Sequence, residues 1–342
     1  MNSMINLISA RALSLMIAAG AGGLVLLGWM GAHAPHLDAL AAFRWHAGAL
    51  FGLALAAAAW PNRALAIACV APLVILGVPL GLALRPASAP SVAAHPAPDR
   101  TGARKTLRMV TFNTWDHVRN IDEVHAMLRA ADADVVVLVE VSPPKRALLE
   151  VLKPLYPYQV HCAAFWPCSM ALVSRLPFEA HGAVLPSMTM PAAVWGRISG
   201  DGDGLTVIGV HIHRPTRSPR IHWGHMRGLA ELTAKAKGAV IVAGDFNTPA
   251  WSASMVWLRR TTGLQTMPRI LPTWPAWPIS IPQFPIDHIL VSRDLRLKHG
   301  ATGPAAGSDH RPVFGTVFAT HVLRPALPIV AVPPRPPSVV PR

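Results

Sequence analysis

The first 85 residues are dominated by apolar stretches in which hydrophobic residues occupy every face of a helix. Three such stretches lie at about residues 12–31, 46–60 and 64–84, and the second extends back towards Leu37. Each approaches the roughly 20 residues that a helix needs to cross a bilayer, whereas helices of soluble cores keep a polar face. A cleaved signal peptide would account only for the first stretch. The pattern predicts a transmembrane helical region over residues 1–85 with about three helices.

The basic residues around these stretches indicate an orientation. Arg11 precedes the first stretch and Arg63 lies in the connection after the second, while Arg44 favours the opposite orientation. Because connections rich in Lys and Arg stay in the cytoplasm, we expect the N-terminus there. Three crossings would then deliver residue 86 onward to the outside.

Two segments have the composition of unstructured chain. Residues 86–104 are rich in Pro, Ala and Ser without apolar periodicity, and we interpret them as an extended linker. Residues 321–342 end in VPPRPPSVVPR and are expected to be a disordered tail. Neither segment is expected to carry chemistry.

Residues 105–320 form the predicted folded domain, because short runs of β-branched residues alternate there with amphipathic segments. No glycine-rich phosphate-binding turn follows the first run, where NTWD stands instead, so a doubly wound nucleotide-binding fold is disfavoured. Many strands and few helices indicate a mixed α/β sandwich. We predict strands within 107–115, 133–141, 170–175, 194–199, 205–213, 239–247 and 286–292, and helices over 121–131 and 219–238.

Composition narrows the function classes. Only 14% of the 342 residues are charged and 52% are hydrophobic, which excludes a disordered polyelectrolyte. Five Arg and two Asp are the only Lys, Arg, Asp and Glu residues in positions 1–100, so most of the net charge of +14 belongs to the remainder. A basic domain favours an anionic partner such as a phosphate ester, a nucleic acid or a lipid headgroup, and it also fits general solubility beside an anionic membrane.

The cysteines exclude a multi-cysteine zinc or iron–sulfur framework, because the chain has only three. Cys162 and Cys168 are close enough in sequence to pair in an oxidising compartment, and two reduced buried thiols remain the alternative.

Polar residues of metal-binding or acid/base type recur at the ends of the apolar runs. Burying a carboxylate without a partner costs roughly several kcal/mol. A chain that places such residues at the ends of many apolar runs therefore implies a cation or hydrogen bonds that compensate this cost. Each position taken alone also fits a local cap or turn. The set comprises Asn113, Glu140, His211, Asp245, Asn247, Asp287, Asp309 and His310.

Two of these positions are the most informative. Glu140 is flanked by VVVLV and Val141, so it cannot be solvated in a central strand, and its hard oxygens suit Mg²⁺, Mn²⁺ or Ca²⁺ better than Zn²⁺. A structural ion pair with an arginine is the alternative. Asp245 and Asn247 alternate along a strand and therefore share a face, and Gly244 allows a close approach.

The segments LRMVTFNTWD, LVEV, GVHIH, IVAGDFNTP, IDHILVS and GSDHRPV, in this order, resemble the endonuclease/exonuclease/phosphatase superfamily, which has the deoxyribonuclease I-like fold. The resemblance covers about residues 105–320. It implies a four-layer α/β/β/α sandwich of two mixed sheets and metal-dependent hydrolysis of a phosphate ester. The N-terminal helical transmembrane region predicted from the apolar stretches would precede this domain. Residues 1–100 lie outside it and look like the membrane anchors of some bacterial members.

The resemblance also assigns roles to the polar set. It implies that Mg²⁺ or Mn²⁺ binds Glu140 with Asn113 beside it, and that Asp309 lies against the metal or the histidine. It implies that Asp245 orients or deprotonates the attacking water and that Asn247 holds a phosphate oxygen. It further implies that His310 and His211 contact the phosphate, and that Asp287 pairs with and orients His211.

Some residues depart from the family pattern or lie outside it. Val139 stands where the family often has Gln. Arg214 is expected to support the substrate phosphate, with Arg197 as a weaker candidate, and a solvated surface charge is the alternative for each. Trp115 and Trp251 are expected to pack the floor of the site. We interpret His161, His222 and His225 as surface residues, and Trp274 and Trp277 either stack on substrate or cap a core or membrane-facing surface.

The leading hypothesis is a membrane-anchored phosphoesterase of the bacterial inner membrane, multi-pass, with a periplasmic catalytic domain. Its expected partners are the membrane and a phosphate-ester substrate (lipid, nucleotide or nucleic acid), with no dedicated protein partner. The alternatives are a non-catalytic tethered binding protein that keeps the fold, and a nuclease with the opposite topology.

Overall fold

The computed structural model describes residues 2–60, 62–63, 65–69, 104–117, 119–163, 168–199, 204–267, 269–278 and 284–323. Side chains are described for most of these residues. The predicted third apolar stretch, the linker and the tail lie wholly or mostly outside the described residues.

The N-terminal region is a pair of packed helices, α1 (Asn2–Trp29) and α2 (Arg44–Ala59), joined by 3₁₀ turns at Met30–Ala32 and Pro35–Phe43. Two segments within the described residues, Ala10–Ala32 and Pro35–Ala59, are long and apolar enough to cross a membrane. Their side chains are largely exposed, which is typical of helices that a bilayer surrounds. The first two predicted apolar helices are therefore observed as helices.

The rest of the described chain forms two sheets of six strands each. The first sheet has the order β11-β12-β1-β2-β4-β3 and the second β5-β6-β7-β8-β10-β9. Only β1 with β2 and β7 with β8 pair in parallel, so both sheets are mixed. The strands are β1 (Arg104–Asn113), β2 (Val135–Val139), β3 (Tyr158–His161), β4 (Met170–Ser174), β5 (Phe178–Val184), β6 (Ala192–Ile198), β7 (Leu205–His211), β8 (Ala239–Asp245), β9 (Gln265–Thr266), β10 (Asp287–Val291), β11 (Leu295–Thr302) and β12 (Val313–Leu323).

Helices cover the outer faces of both sheets. The first sheet packs under α3 (Ile121–Ala131) and α4 (Arg146–Leu152), and the second under α5 (Pro219–Lys235) and α6 (Ala253–Thr262). A third apolar cluster fills the space between the sheets, where alternate side chains of β2 and β7 such as Val137 and Val207 meet. The predicted four-layer α/β/β/α sandwich is confirmed.

The central strands and one helix follow the sequence pattern closely, whereas element ends differ. α3 spans the predicted residues, and Asp132 ends it in a left-handed conformation. α5 ends at Lys235 instead of Gly238, because Ala236 is already extended. β1 begins at Arg104 and β12 continues to Leu323, so the domain is slightly wider than 105–320.

A disulfide joins Cys162 and Cys168. This resolves the pairing that the sequence left open, and it ties the end of β3 to the start of β4.

The turn between α1 and α2 is docked onto the folded domain. The buried carboxylate of Asp38 accepts hydrogen bonds from the backbone N–H groups of Ala253 (2.6 Å) and Ser254 (3.0 Å), which are the first residues of α6. A carboxylate at this end is favoured because the helix N-terminus carries unpaired N–H groups and partial positive charge. The indole of Trp251 donates to the carbonyl of Ala41 (2.8 Å). The helical pair is thus fastened to the domain directly.

Gly244 permits the close approach of β7 and β8 beside the polar cluster. Its φ is +150°, and a Cβ built there would lie 1.9 Å from the carbonyl oxygen of Val210. Only glycine tolerates this combination.

We expect Gly244→Ala to lower the free energy of unfolding by at least about 3 kcal/mol, because the methyl group meets backbone that cannot move. Gly263→Ala is the matched control. Gly263 also has positive φ (+75°), but only a flexible Arg293 side chain lies nearby, at 3.4 Å, so we expect a loss of about 1–2 kcal/mol. Urea unfolding of both variants measures the difference, and equal losses would contradict the steric explanation.

Candidate active site

Residues far apart in the sequence meet at one end of the two sheets. Asn113 ends β1, His211 ends β7 and Asp245 ends β8. Strand register pairs His211 with Asp245 in the parallel β7–β8 ladder, and Asp245 with Asp287, which begins the antiparallel β10. The carboxyl ends of β1, β2, β7 and β8 therefore share one edge of the sandwich.

Glu140 follows the last residue of β2 and points into this edge. It adopts a left-handed conformation (φ 60°), and the Thr114 hydroxyl donates to its carbonyl oxygen (3.0 Å). Its Oε1 accepts from the Asn113 amide (3.0 Å) and its Oε2 from the Asp116 N–H (2.8 Å). Burial by itself raises the pKa of Glu140, but His211 and these hydrogen bonds more than offset burial, so the net pKa is below its usual value. Glu140 is held as a carboxylate.

Asn113 orients two carboxylates. Its Nδ2 donates to Glu140 Oε1 and also to Asp245 Oδ2 (3.1 Å), while its Oδ1 accepts from the Trp115 N–H (3.0 Å). The sequence assigned Asn113 to a metal. In this arrangement the amide nitrogen faces the cluster, so ligation through Oδ1 would require the bond to Trp115 to break.

Asp245 and Asn247 form a locked unit. Asp245 is fully buried, and its Oδ1 accepts from the Asn247 backbone N–H (2.8 Å). The Asn247 Nδ2 donates to the Ile212 carbonyl (3.0 Å) and to Asp245 Oδ2 (3.2 Å), so both amide hydrogens already have acceptors. Burial, and next the carboxylate of Asp287, raise the pKa of Asp245 to about 6.

Asp287 pairs with His310, which corrects the expected pairing with His211. The Nδ1 of His310 donates to Asp287 Oδ2 at 2.8 Å, and both side chains are buried. Asp287 lies beside Asp245 in the ladder, and the segment around Ser308 brings His310 there because the Ser308 hydroxyl donates to the Asn113 carbonyl (2.7 Å). Burial alone would lower the pKa of His310, but Asp287, with Asp245 and Asp309, raises it to about 10.

The cluster has a buried floor and an open mouth. The side chains of Asp245, Asp287 and His310 are at most 1% exposed, whereas Glu140 and Asp309 are 15% exposed and His211 is 25% exposed. The Nε2 of His211 lies 3.9 Å from Glu140 Oε1 and 3.8 Å from Asp245 Oδ2. A ligand therefore reaches the floor by passing Glu140, Asp309 and His211.

Asp309 connects the mouth to a group of aromatic side chains. Its Oδ2 accepts from the Trp274 indole (3.1 Å), and its Oδ1 lies 4.0 Å from His310 Nε2 and has no hydrogen-bond partner within the described part of the chain. The ring of Trp115, two positions after Asn113, packs against the ring of Trp277 with 5.4 Å between the ring centroids. Aromatic rings therefore border the mouth.

Two residues singled out in the sequence, Arg197 and Trp251, lie away from the cluster, whereas Arg214 follows the strand that ends in His211. Arg214 is exposed three residues beyond β7. Arg197 forms an ion pair with Glu179 (3.2 Å) near the opposite ends of the strands and does not join the site. Trp251 contacts the α1–α2 turn instead of packing the site floor.

The surface interpretation of two histidines is wrong, because α5 turns them inward. His222 and His225 are buried, whereas His161 is exposed as expected. His222 bonds the carbonyl of His213 (2.8 Å) and the hydroxyl of Ser254 (2.9 Å). His225 accepts from the His213 N–H (3.2 Å), and burial lowers its pKa to about 4. Both histidines therefore hydrogen-bond to the backbone of His213, two residues after His211.

A comparison with protein families covers the part of the chain that carries the polar cluster. The sequence profile described as the Endonuclease/Exonuclease/phosphatase family matches residues 110–310, which include the whole polar cluster. This chain belongs to that family. The family consists of enzymes that hydrolyse phosphate esters, and no curated protein matches the sequence.

Solved structures of this fold agree with the assignment. An endonuclease/exonuclease/phosphatase from Beutenbergia cavernae is 20% identical, with a TM-score of 0.51 over 63% of this chain and 72% of that one. The human Nocturnin catalytic domain with bound sulfate is 17% identical, with a TM-score of 0.53 over 64% of this chain and 96% of that one. Truncated TDP2 from Caenorhabditis elegans is 18% identical, with a TM-score of 0.50 over 63% of this chain and 98% of that one. At these identities the likeness shows the fold.

Sequence reasoning missed one residue that supports the candidate site, Lys145. Its buried ammonium donates to the Thr114 carbonyl (2.5 Å), the Thr114 hydroxyl (3.1 Å) and the Trp115 carbonyl. It thereby holds the left-handed turn at Trp115 from which Asp116 donates to Glu140. Burial lowers the pKa of Lys145 to about 8, while Glu140 acts to raise it. No sequence signal marked Lys145, because it follows Pro143 and Pro144 in what reads as a surface loop.

We expect Lys145→Met to lower the free energy of unfolding by about 2–4 kcal/mol, because two buried carbonyl groups lose their donor. Lys153→Met is the control, since Lys153 is exposed and its ion-pair partner among the described residues is Glu150, one turn earlier. Removing such a pair costs at most about 0.5 kcal/mol. Thermal or urea unfolding of both variants measures the two losses in the free energy of unfolding. Similar losses would show that Lys145 is not a structural hydrogen-bond donor.

Proposed function

We propose that this protein is a membrane-anchored, divalent-metal-dependent phosphoesterase that activates water for in-line attack on a phosphate ester. One observation carries the proposal: ligand atoms of Glu140, His211 and Asp245, and those of Asp245, Asp287 and His310, lie within 4.8 Å of one another in each group. Carboxylates and imidazoles brought this close suit metal binding and proton transfer.

The donor set fits a hard divalent cation at the mouth. Glu140 is held as a carboxylate, and Asp309 Oδ1 is buried without a hydrogen-bond donor among the described residues, which leaves it available as a ligand. Mg²⁺ and Mn²⁺ prefer such oxygen ligands. Glu140 and Asp309, with Asn113 supporting them, would hold the ion, which would supply Lewis-acid stabilisation of the phosphate charge.

Asp245 and His310 divide the remaining chemistry. A carboxylate whose pKa is near 6 is suited to orient and deprotonate a water molecule at neutral pH, and Asp245 has this property. Because His310 Nδ1 is engaged with Asp287, its Nε2 faces the cluster, 4.0 Å from Asp245 Oδ2. A protonated imidazole there would donate to a phosphate oxygen as negative charge grows.

His211, Asn247 and Arg214 complete the proposed phosphate contacts. His211 lies at the mouth, where its Nε2 reaches towards the carboxylates. Asn247 would exchange its bond to Ile212 or Asp245 for a bond to a phosphate oxygen, and the exposed Arg214 would approach a bound phosphate from solvent.

The membrane assignment rests on the α1–α2 pair. We propose a multi-pass protein of the bacterial inner membrane with a periplasmic catalytic domain, supported by the exposed apolar faces of both helices and the positions of Arg11 and Arg63. The docked α1–α2 turn lies on the same side of the membrane as the domain. Three crossings, with the third within residues 64–84, would satisfy this arrangement.

His310→Ala in the full-length protein should lower kcat for a soluble diester such as bis(p-nitrophenyl) phosphate by about 10²–10⁴, because a positioned donor and its partner Asp287 are lost. His181→Ala is the control, since His181 is exposed on β5 and lies outside the cluster. Steady-state kinetics measure both. An unchanged rate for His310→Ala would remove the assigned site.

Removal of divalent ions with EDTA should abolish hydrolysis, and Mn²⁺ or Mg²⁺ should restore it. Glu140→Gln keeps the shape of the side chain but removes the charge, so we expect Mn²⁺ affinity to fall by at least about 10-fold. Calorimetric titration of the wild type and Glu140→Gln, with Glu150→Gln as an exposed control, measures this directly. If the wild-type protein binds no Mn²⁺, the result would favour the hypothesis of a non-catalytic tethered binding protein that keeps the fold.

A further inference from the structure

We infer that the substrate is the phosphate ester of a lipid headgroup in the bilayer that anchors the protein, because the docked α1–α2 turn holds the mouth of the site against the membrane surface. This inference rests on the proposed function and adds the class of substrate and the direction from which it enters.

The contacts of the α1–α2 turn lie on both chain segments that flank the catalytic carboxylates. One segment leaves β8 after Asp245 and reaches Trp251, which bonds Ala41, only six positions later. The other contains Phe284, whose ring lies 5.4 Å from that of Phe43, three positions before Asp287. Asp245 and Asp287 are neighbours in the β8–β10 ladder. The catalytic end of the second sheet is therefore the end that faces the helical pair.

A short chain of contacts links the turn to the mouth itself. The rings of Phe43 and Phe284 are 5.4 Å apart, and those of Phe284 and Trp274 are 5.8 Å apart. The Trp274 indole then donates to Asp309 at 3.1 Å. Three contacts of less than 6 Å each therefore separate the end of the membrane helices from a residue of the candidate site.

Exposed aromatic residues mark the level of the membrane surface. Trp29 at the end of α1 and Trp45 at the start of α2 are 69% and 52% exposed, and tryptophan concentrates at membrane–water interfaces. Trp45 packs edge-on against Trp251 of the domain at 6.0 Å. Trp277 at the mouth is 59% exposed and rests on Trp115. The rim of the site thus carries the kind of side chain that enters the headgroup layer.

Charge on the same end of the domain complements an anionic membrane. Arg214 and Arg217 are exposed between β7 and α5, and Arg220 is exposed in the first turn of α5. The first turn of α5 is joined to the α1–α2 turn through His222 and Ser254, because His222 bonds the Ser254 hydroxyl and the Ser254 N–H donates to Asp38. Arginines at this level would attract anionic headgroups, each by about 1 kcal/mol.

Asp38 gives a test that separates orientation from chemistry. It lies outside the catalytic cluster, and its carboxylate fastens the turn to α6. Asp38→Ala should free the domain to tilt, so hydrolysis of lipid in vesicles should fall at least about tenfold while hydrolysis of bis(p-nitrophenyl) phosphate stays within about twofold. Asp38→Asn keeps one carbonyl acceptor and should retain an intermediate rate on lipid.

The assay uses the full-length protein in phosphatidylcholine vesicles that contain, one at a time, phosphatidylethanolamine, phosphatidylglycerol, phosphatidic acid or sphingomyelin. Phosphorus released into the aqueous phase is compared with hydrolysis of the matching soluble headgroup ester and of an oligonucleotide. We expect kcat/KM for one vesicle lipid to exceed kcat/KM for its soluble headgroup ester and for the oligonucleotide by at least about tenfold. Cleavage of soluble esters or the oligonucleotide at equal or higher efficiency would overturn the inference and leave the proposed function standing. Failure on every phosphate ester would overturn the proposed function.

A depth measurement makes the geometry testable without a substrate. In a Cys69→Ser background, a nitroxide attached at Trp277→Cys should sit in the headgroup layer, where a water-soluble nickel chelate enhances its spin relaxation less, relative to oxygen, than it does in water. A nitroxide at Lys237→Cys, an exposed position beside the opposite end of β8, should remain in water. Equal aqueous signals from both positions would show that the mouth does not face the membrane.

Discussion

Two carboxylates buried side by side are the constraint on which the site depends. Asp245 and Asp287 face each other in the β8–β10 ladder with almost no exposure to water, an arrangement that repels itself unless positive charge and hydrogen bonds compensate. His310 supplies the charge through its bond to Asp287, and the amides of Asn113 and Asn247 supply donors to Asp245. Each compensating group comes from a different element, so the chemistry requires the whole sandwich to be folded.

Hydrogen bonds also stabilise strained backbone conformations around the mouth of the site. Glu140, Trp115 and Asn247 all have left-handed backbone conformations, which cost free energy in non-glycine residues. Thr114 and Lys145 hold the first two in place through their hydrogen bonds. The strain is concentrated where side chains must leave the strand direction and turn towards a ligand.

The helical pair and the domain form a connected structure instead of an anchor on a loose tether. The buried carboxylate of Asp38 and the indole bond of Trp251 connect them, and these contacts lie beside the segments that carry Asp245 and Asp287. A docked anchor restricts the directions from which the site can be reached. These contacts are the geometric basis of the proposed coupling between membrane association and catalysis.

The first two apolar helices, the central strands and most members of the polar set were predictable from the amino-acid sequence, because burial imposes a local pattern that a single segment displays. The sequence also pointed to the family through the motifs around Glu140, Asp245 and His310. The sequence could not show that Asp287 pairs with His310 instead of His211, that the Lys145 ammonium is buried, that α5 buries His222, or that Trp251 contacts the α1–α2 turn. Those outcomes depend on which segments the fold brings together, and contacts between residues 23 to 210 positions apart leave no local pattern. The local pattern of a segment shows which of its side chains are buried, whereas the partner of each buried polar group depends on how distant segments pack together.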